Sequence, residues 1–382
     1  MRSTKAIINL ENLRSNFQAI RSYIKNDVKL CAAVKADAYG HGAVRIAKSL
    51  ESYGIDFLAV AAVSEGVELR IADVKIPILV LSLCTPEEVP EVIQNNLTPL
   101  VFDEEYISLF EKEAKALSVH NFSVHLAVDT GMGRIGCLPE NAAKTAQYIA
   151  SCPHLKLGGV CTHFAAADSI SEENKAYTKM QFALFNKACK AISVAGINPG
   201  IRHCSSSAAL FDLPQTHLDM VRPGIITYGY YPDQITSAYL EKKGTPVSLK
   251  PVMTFETTVV AIRPFKKGES ISYGHTWTAE KDTDIAVLPV GYADGLLRRF
   301  SPGLCVAING KPYPVRGRIC MDQCMVDIGK NNQNVKRWDK AVIFGDTKEG
   351  ALQNADDLAR QIGTISYEVM TGLTKRVPRV YC

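Results

Sequence analysis

The chain of 382 residues carries 43 basic and 39 acidic side chains, for a formal net charge of +4, with 47% apolar and 21% charged residues. That length suggests two units, and the composition supplies a sizeable globular core without the basic stripe that nucleic-acid binding would leave. The start "MRSTKAIINLENLRSNF" has no apolar leader, and runs such as "IPILVLSLC" are about half a membrane span, so a cytoplasmic protein with no membrane role is expected.

In chain order, "ENLRSNFQAIRSYI" predicts an amphipathic helix, and short apolar runs then begin at residues 29, 57, 77, 97, 122, 155, 200 and 220. Helical patterns such as "SEENKAYTKMQFALFNKACKAI" separate them. Strands flanked by helices call for a parallel sheet, and eight of them favour an α/β, TIM-type (β/α)8 barrel, although a doubly wound open sheet could hold the same alternation. After about residue 240 the texture changes. "VMTFETTVVAIRPF", "TDIAVLPVGY", "LCVAINGKPYPVRG", "QCMVDIG" and "KAVIFG" read as strands separated by turn residues, and a helical pattern returns at "NADDLARQIG". The expected division is a barrel over 1–240 and a mainly β unit over 241–382.

The eleven cysteines are an odd number without framework spacing, several within apolar runs (Cys31, Cys161, Cys305), and read as buried thiols. Cys161 with His163, or Cys320 with Cys324, lacks the second close pair that a zinc site needs, so no metal is expected. "GMGRIG", Gly131 to Gly136, matches a dinucleotide fingerprint. It follows the fifth strand rather than the first, and no acid lies about twenty residues on, so nicotinamide binding is not expected.

Barrel chemistry gathers at the C-terminal ends of the strands. Lys35 ends the first run, Arg134 follows the fifth, His163 ends the sixth, Ser205 to Ser207 end the seventh, and "RPGI" (Arg222 to Ile225) lies in the eighth. Taken alone, Lys35 is a lysine snorkelling at a strand end. With Tyr39 and His41 on the following Gly-punctuated loop, and a serine cluster with "RPG" where a phosphate site forms, it fits a phosphate-bearing aldehyde cofactor. The amine would bond the aldehyde and the far end would anchor the phosphate.

"AVKADAYGHG", "DTGMGRIG", "THFAAAD", "VRPGI", "SYGHTW", "GYADG", "RGRICMDQ" and "TISYEV" follow one another in the chain. In these motifs, and in their order, the chain resembles the pyridoxal-phosphate-dependent alanine racemases along nearly its whole length. The resemblance implies a (β/α)8 barrel followed by a β domain, and a homodimer whose active sites lie at the subunit interface. It implies interconversion of L- and D-alanine, with D-alanine supplied for peptidoglycan. By it, Lys35 holds the cofactor and serves as the base for the D-enantiomer. Tyr273, which alone would read as a strand aromatic, is the opposite base, reaching in from the partner. Arg222, otherwise a candidate for pairing with a core acid, contacts the ring nitrogen with His163 behind it. Tyr39, Ser207, the backbone N–H groups of Gly224 and Ile225, and Tyr367 hold the phosphate. Arg134 pairs with the substrate carboxylate, facing a wall of Met321 and Asp322, and Tyr292, Arg298 and Arg318 line the entry passage.

One position departs from the pattern. Many members carry a carbamylated lysine two residues before the Asp of "DTGMGR", and here that position is Ala127. Another anion or a different side chain is expected to steady Arg134. The resemblance also leaves serine or a broader range of amino acids as substrates. Decarboxylases of the same plan are expected to face the ring nitrogen with a glutamate, against which Arg222 argues. A cofactor-carrier barrel would leave the β unit without a purpose.

Overall fold

The computed structural model describes residues 2–331 and 334–382. A short strand β1 (Lys5–Ile8) precedes the helix Leu10–Tyr23, whose first turn is capped by the Asn9 side chain accepting from Asn12 N–H. Eight strands follow: β2 (Lys29–Ala33), β3 (Phe57–Val60), β4 (Ile78–Val80), β5 (Thr98–Val101), β6 (Phe122–Ala127), β7 (Leu155–Cys161), β8 (Ile201–His203) and β9 (Met220–Val221). Each coincides with one of the eight expected runs. All pair in parallel in the order β8-β7-β6-β5-β4-β3-β2-β9. The ring closes where Asp219 N–H donates to the Arg202 carbonyl at 3.2 Å and Arg222 N–H to the Ser205 carbonyl at 2.8 Å. Strands covered on both faces must be apolar on both, which is why they read as continuous runs.

Inside this ring lies a core of its own, built from Cys31, Ala59, Leu79, Leu100, Ala127, Cys161 and Met220, one residue from each of seven strands. Several are small, so the interior is only partly filled and a cavity of about 370 Å³ opens above it, at the C-terminal rim. All eleven cysteines are free thiols; most are buried, while Cys305 is half-buried.

Ten further strands follow the barrel: β10 (Met253–Thr258), β11 (Ala261–Phe265), β12 (Ser270–Ile271), β13 (Trp277–Thr278), β14 (Thr283–Leu288), β15 (Cys305–Ile308), β16 (Lys311–Arg316), β17 (Cys324–Asp327), β18 (Lys340–Phe344) and β19 (Arg379–Tyr381). Nine strands form one sheet in the order β11-β14-β17-β16-β15-β18-β10-β1-β19, and β12 with β13 forms a separate two-stranded ribbon. The N-terminal strand thus sits in this second sheet rather than in the barrel. It pairs antiparallel with β10, Ala6 opposite Phe255, and parallel with β19, Ala6 opposite Arg379. Ala6 and Ile8 alternate inward with no exposure, so β1 buries one face by bridging the two ends of the second sheet's sequence.

Candidate active site

Lys35 stands two residues beyond the end of β2, at the wall of the cavity. The chain then does something local propensity disfavours. Ala36, Asp37, Ala38 and Tyr39 all adopt left-handed backbone angles, with φ of 52°, 53°, 53° and 54°. Each such residue costs about 1–2 kcal/mol, so the surroundings must hold this turn in place. Asp37 Oδ1 accepts Ala43 N–H at 2.8 Å, Arg379 Nε donates to the Gly40 carbonyl at 2.8 Å, and Glu65 Oε1 accepts Ala36 N–H at 2.6 Å. His41 is fully buried behind the turn, stacked on Tyr228 at 4.5 Å, with Nδ1 3.0 Å from the Ala38 and Tyr39 carbonyls. Burial, and then the charge of Arg134, lowers the Lys35 amine from its ordinary range, while Glu65 pulls it back up. A lowered amine is the more available nucleophile and base.

Arg222 is buried and, among the described residues, pairs with no carboxylate. Its Nη1 donates to His203 Nδ1 at 2.8 Å and to the His203 carbonyl at 2.9 Å. Its Nη2 donates to the Thr162 carbonyl at 2.8 Å and lies 3.3 Å from His163 Nδ1. A guanidinium only donates, so the ring nitrogens it meets must be acceptors. That assigns the His203 proton to Nε2, which then donates to His125 Nδ1 at 2.8 Å. Burial first, and Arg222 second, pushes the His125 ring down to about 4 and the His163 ring down to about 3, and the same two causes lower His203. A cation is thus seated among neutral imidazoles and carbonyls. Because Nη1 and Nη2 make all four contacts, Nε–H remains for a ligand.

Elsewhere along the cavity wall the donors are hydroxyls and amides. Burial pushes the Tyr39 phenol up to about 12 and raises Tyr367 as well, so both stay protonated and can donate. Their rings lie 5.7 Å apart. Ser207 opens the helix Ser207–Asp212, and its Oγ accepts Gly224 N–H at 2.9 Å. Gly224 is bare where space is needed: a Cβ there would stand 2.8 Å from the Tyr39 hydroxyl and 3.6 Å from Ser207 Oγ. Ile225 follows at the start of a 3-10 turn. A cradle of uncharged donors, and a lysine with a lowered amine lining the same cavity, fit a pyridoxal phosphate.

Arg134 is exposed at the cavity mouth and, among the described residues, no side chain bonds it; the alternative side chain expected beside Ala127 is not there. Ala127 instead belongs to the interior layer, with Leu81, Leu100 and Ile135 beside it along the cavity. The loop carrying Arg134 is shaped by Asp129, whose Oδ1 accepts Gly131 N–H at 2.9 Å and Gly133 N–H at 3.1 Å. Gly136 has φ +132°, and a Cβ there would meet the Asp129 backbone nitrogen at 2.4 Å. The glycines of "GMGRIG" therefore serve a tight turn.

The remaining expected residues do not line the cavity of this chain. Among the described residues, none between 233 and 366 lines it. Tyr273 sits in the turn of the β12–β13 ribbon and is 67% exposed. Ser272, with φ +67°, donates from Oγ to the Arg318 carbonyl at 2.6 Å, and the Arg318 guanidinium packs over Gly274. Tyr292 N–H donates to the Cys320 carbonyl at 3.1 Å, and Ala293 N–H to the Met321 carbonyl at 3.0 Å. Asp322 accepts from Arg376 at 2.8 Å, and Ser301 joins the Arg298 carbonyl to Ile319 N–H. Tyr273, Tyr292, Arg298, Arg318, Met321 and Asp322 thus belong to a second cluster on the β unit, with Met321 52% exposed. The sequence reading missed His203, His125, Glu65 and Arg379. His203 and His125 lay inside the apolar runs beginning at residues 200 and 122, where a histidine among buried positions was a usable signal; Glu65 and Arg379 carried none.

Two family models match the chain, one described as alanine racemase, N-terminal domain, over residues 8–232, the other as alanine racemase, C-terminal domain, over residues 252–381. An alanine racemase of Treponema denticola is 48% identical over 383 aligned residues, covering 100% of this chain and 98% of that protein. Among solved structures, an alanine racemase of Clostridium difficile superposes with a TM-score of 0.92 at 38% identity, covering 100% of this chain and 96% of that one. An alanine racemase of Bacillus anthracis with bound L-Ala-P superposes with a TM-score of 0.90 at 32% identity, covering 100% and 95%.

Proposed function

The chain belongs to the alanine racemase family, and on that premise we propose how its residues divide the work of interconverting L- and D-alanine. Its substrate is a small amino acid and its cofactor is pyridoxal phosphate. When bound, that cofactor supplies an electron sink that makes the α-proton of the amino acid acidic. Tyr39, Ser207, Tyr367 and the Ile225 N–H would hold the phosphate, joined by the Gly224 N–H once it exchanges its Ser207 Oγ acceptor for the phosphate. Arg222 offers Nε–H to the ring nitrogen; being permanently charged, it gives up no proton, which keeps the sink modest and favours prompt return of the proton to Cα.

Inverting a stereocentre needs a base on each face of Cα, within hydrogen-bond reach. Lys35 takes and returns the proton on the face that serves D-alanine. Tyr273 of the partner subunit does so on the opposite face. Arg134 pairs with the substrate carboxylate through a planar fork, beside Met321 N–H and Asp322 of the partner subunit. Tyr292, Arg298 and Arg318 of the partner subunit line the passage. The observation that carries this reading is the pair of incomplete halves in one protomer: a cavity bearing Lys35, and an exposed ribbon bearing Tyr273 that does not line it. A homodimer with shared sites brings them together. We also propose a cytoplasmic location and a division near residue 240, with β1 lent to the second unit; among the described residues no helix is long and apolar enough to cross a membrane.

The test follows α-proton exchange in heavy water by proton NMR, with chiral chromatography of the products, for L-alanine, L-serine and L-lysine. Formation of D-alanine sets the activity, and its ratio to D-serine sets the specificity. In Tyr273→Phe racemisation slows equally in both directions, since the equilibrium constant is one. D-alanine keeps exchanging through Lys35 while L-alanine stops. Equal loss of exchange from both enantiomers would refute the division between the two bases.

A further inference from the structure

One carboxylate outside the expected set gathers three backbone amides from two neighbouring strand ends. Glu65, half-buried in the first turn of the helix Val63–Ile71, accepts Ala61 N–H at 2.8 Å and Ala62 N–H at 3.0 Å through Oε2. Through Oε1 it accepts Ala36 N–H at 2.6 Å. The first two amides belong to the chain leaving β3, and the third is the first residue of the left-handed turn that follows Lys35. We infer that Glu65 is a positioning residue for Lys35, tying the start of its left-handed turn to the junction between β3 and the next helix.

Four consecutive left-handed residues without a glycine do not persist on local preference, so the contacts at the ends of the turn decide whether it forms. Arg379 and Asp37 secure its far end, at Gly40 and Ala43. Glu65 secures the near end, the peptide joined directly to Lys35. Three N–H donors converging on one carboxylate also suit a helix N-terminus, where negative charge is favoured. Finally, Glu65 is the acidic group acting on the Lys35 amine, against burial and Arg134, which both lower it. Removing the charge therefore moves the amine further down, and removing the acceptor loosens the peptide beside it. A purely structural cap for the helix would do neither.

This inference rests on the reading of Lys35 as the cofactor lysine, and the experiment separates the two. Full-length protein, stripped of cofactor, is reductively methylated with 13C-formaldehyde, and the Lys35 resonance is assigned by its loss in Lys35→Arg. In Glu65→Gln the Lys35 titration midpoint is expected about one pH unit below wild type. In Glu65→Ala, amide exchange across residues 34–42 is expected at least tenfold faster, with the rest of the barrel unchanged. Glu65→Asp, which keeps the charge on a shorter arm, should restore most of the midpoint and remains readable if Glu65→Gln folds poorly. An unchanged midpoint in Glu65→Gln, or unchanged protection of 34–42 in Glu65→Ala, overturns the inference. Cofactor still covalently held in Lys35→Ala overturns the reading of Lys35 instead, whatever Glu65 does.

Discussion

Arg222 Nη1 lies 2.8 Å from His203 Nδ1, and His203 Nε2 lies 2.8 Å from His125 Nδ1, so a buried cation is followed inward by two imidazoles that must both be neutral. His41 is likewise buried, and its ring is pushed down to about 4, as is that of His125, from an ordinary 6.5. Between those limits the unfolded chain binds protons at these rings that the folded chain does not. Stability therefore holds above about pH 6.5 and falls as pH drops towards 4, by up to about 1.4 kcal/mol per pH unit for each histidine. Unfolding of the holoenzyme measured between pH 7.5 and 5 should show this slope. His41→Phe, which keeps a ring against Tyr228, should flatten it; a slope identical to wild type would count against the assignment.

Gly224 has the opposite kind of importance, because what matters is the atom it lacks. A Cβ 2.8 Å from the Tyr39 hydroxyl would occupy the proposed phosphate cradle. Gly224→Ala should raise the dissociation constant for pyridoxal phosphate at least tenfold, or about 1.4 kcal/mol, by absorbance titration of the stripped full-length protein. Unaltered affinity would place the phosphate elsewhere.

The turn carrying Arg134 gives a kinetic expectation. With φ +132° and a Cβ only 2.4 Å from a backbone nitrogen, Gly136→Ala cannot be accommodated by a side-chain adjustment. Displacement of Arg134 should raise KM for alanine about tenfold or more, with a smaller change in kcat, as expected when uniform binding is lost. An unchanged KM would argue that Arg134 does not take the carboxylate. NADH should leave the melting temperature of the wild-type protein where it is, since these glycines shape a turn.

How far the sequence could be read varies from element to element. The eight barrel strands were legible because a strand covered by helices outside and by side chains inside has no polar face to interrupt it. The seventh run, extended to Ser207, and the eighth, extended through Ile225, are longer than the strands Ile201–His203 and Met220–Val221. Their last residues, among them Ser206, Ser207, Gly224 and Ile225, line the cavity instead of extending a ladder. The motif residues from Lys35 to Ile225, with Tyr367, do line one cavity.

By itself, then, the sequence determined the alternation that closes a barrel, the mainly β second unit and, through its ordered motifs, the family. These follow from local patterns: apolar continuity, turn residues, and side chains placed just past strand ends. Only the tertiary structure decided that β1 leaves the barrel to join β10 and β19, that His203, 78 residues from His125, donates a hydrogen bond to it, and that Glu65 and Arg379 grip the two ends of the turn after Lys35. It also decided that "ADAY" runs left-handed. Nothing in those four residues favours that conformation; it exists because contacts made from distant segments outweigh the local cost, and no local pattern records them.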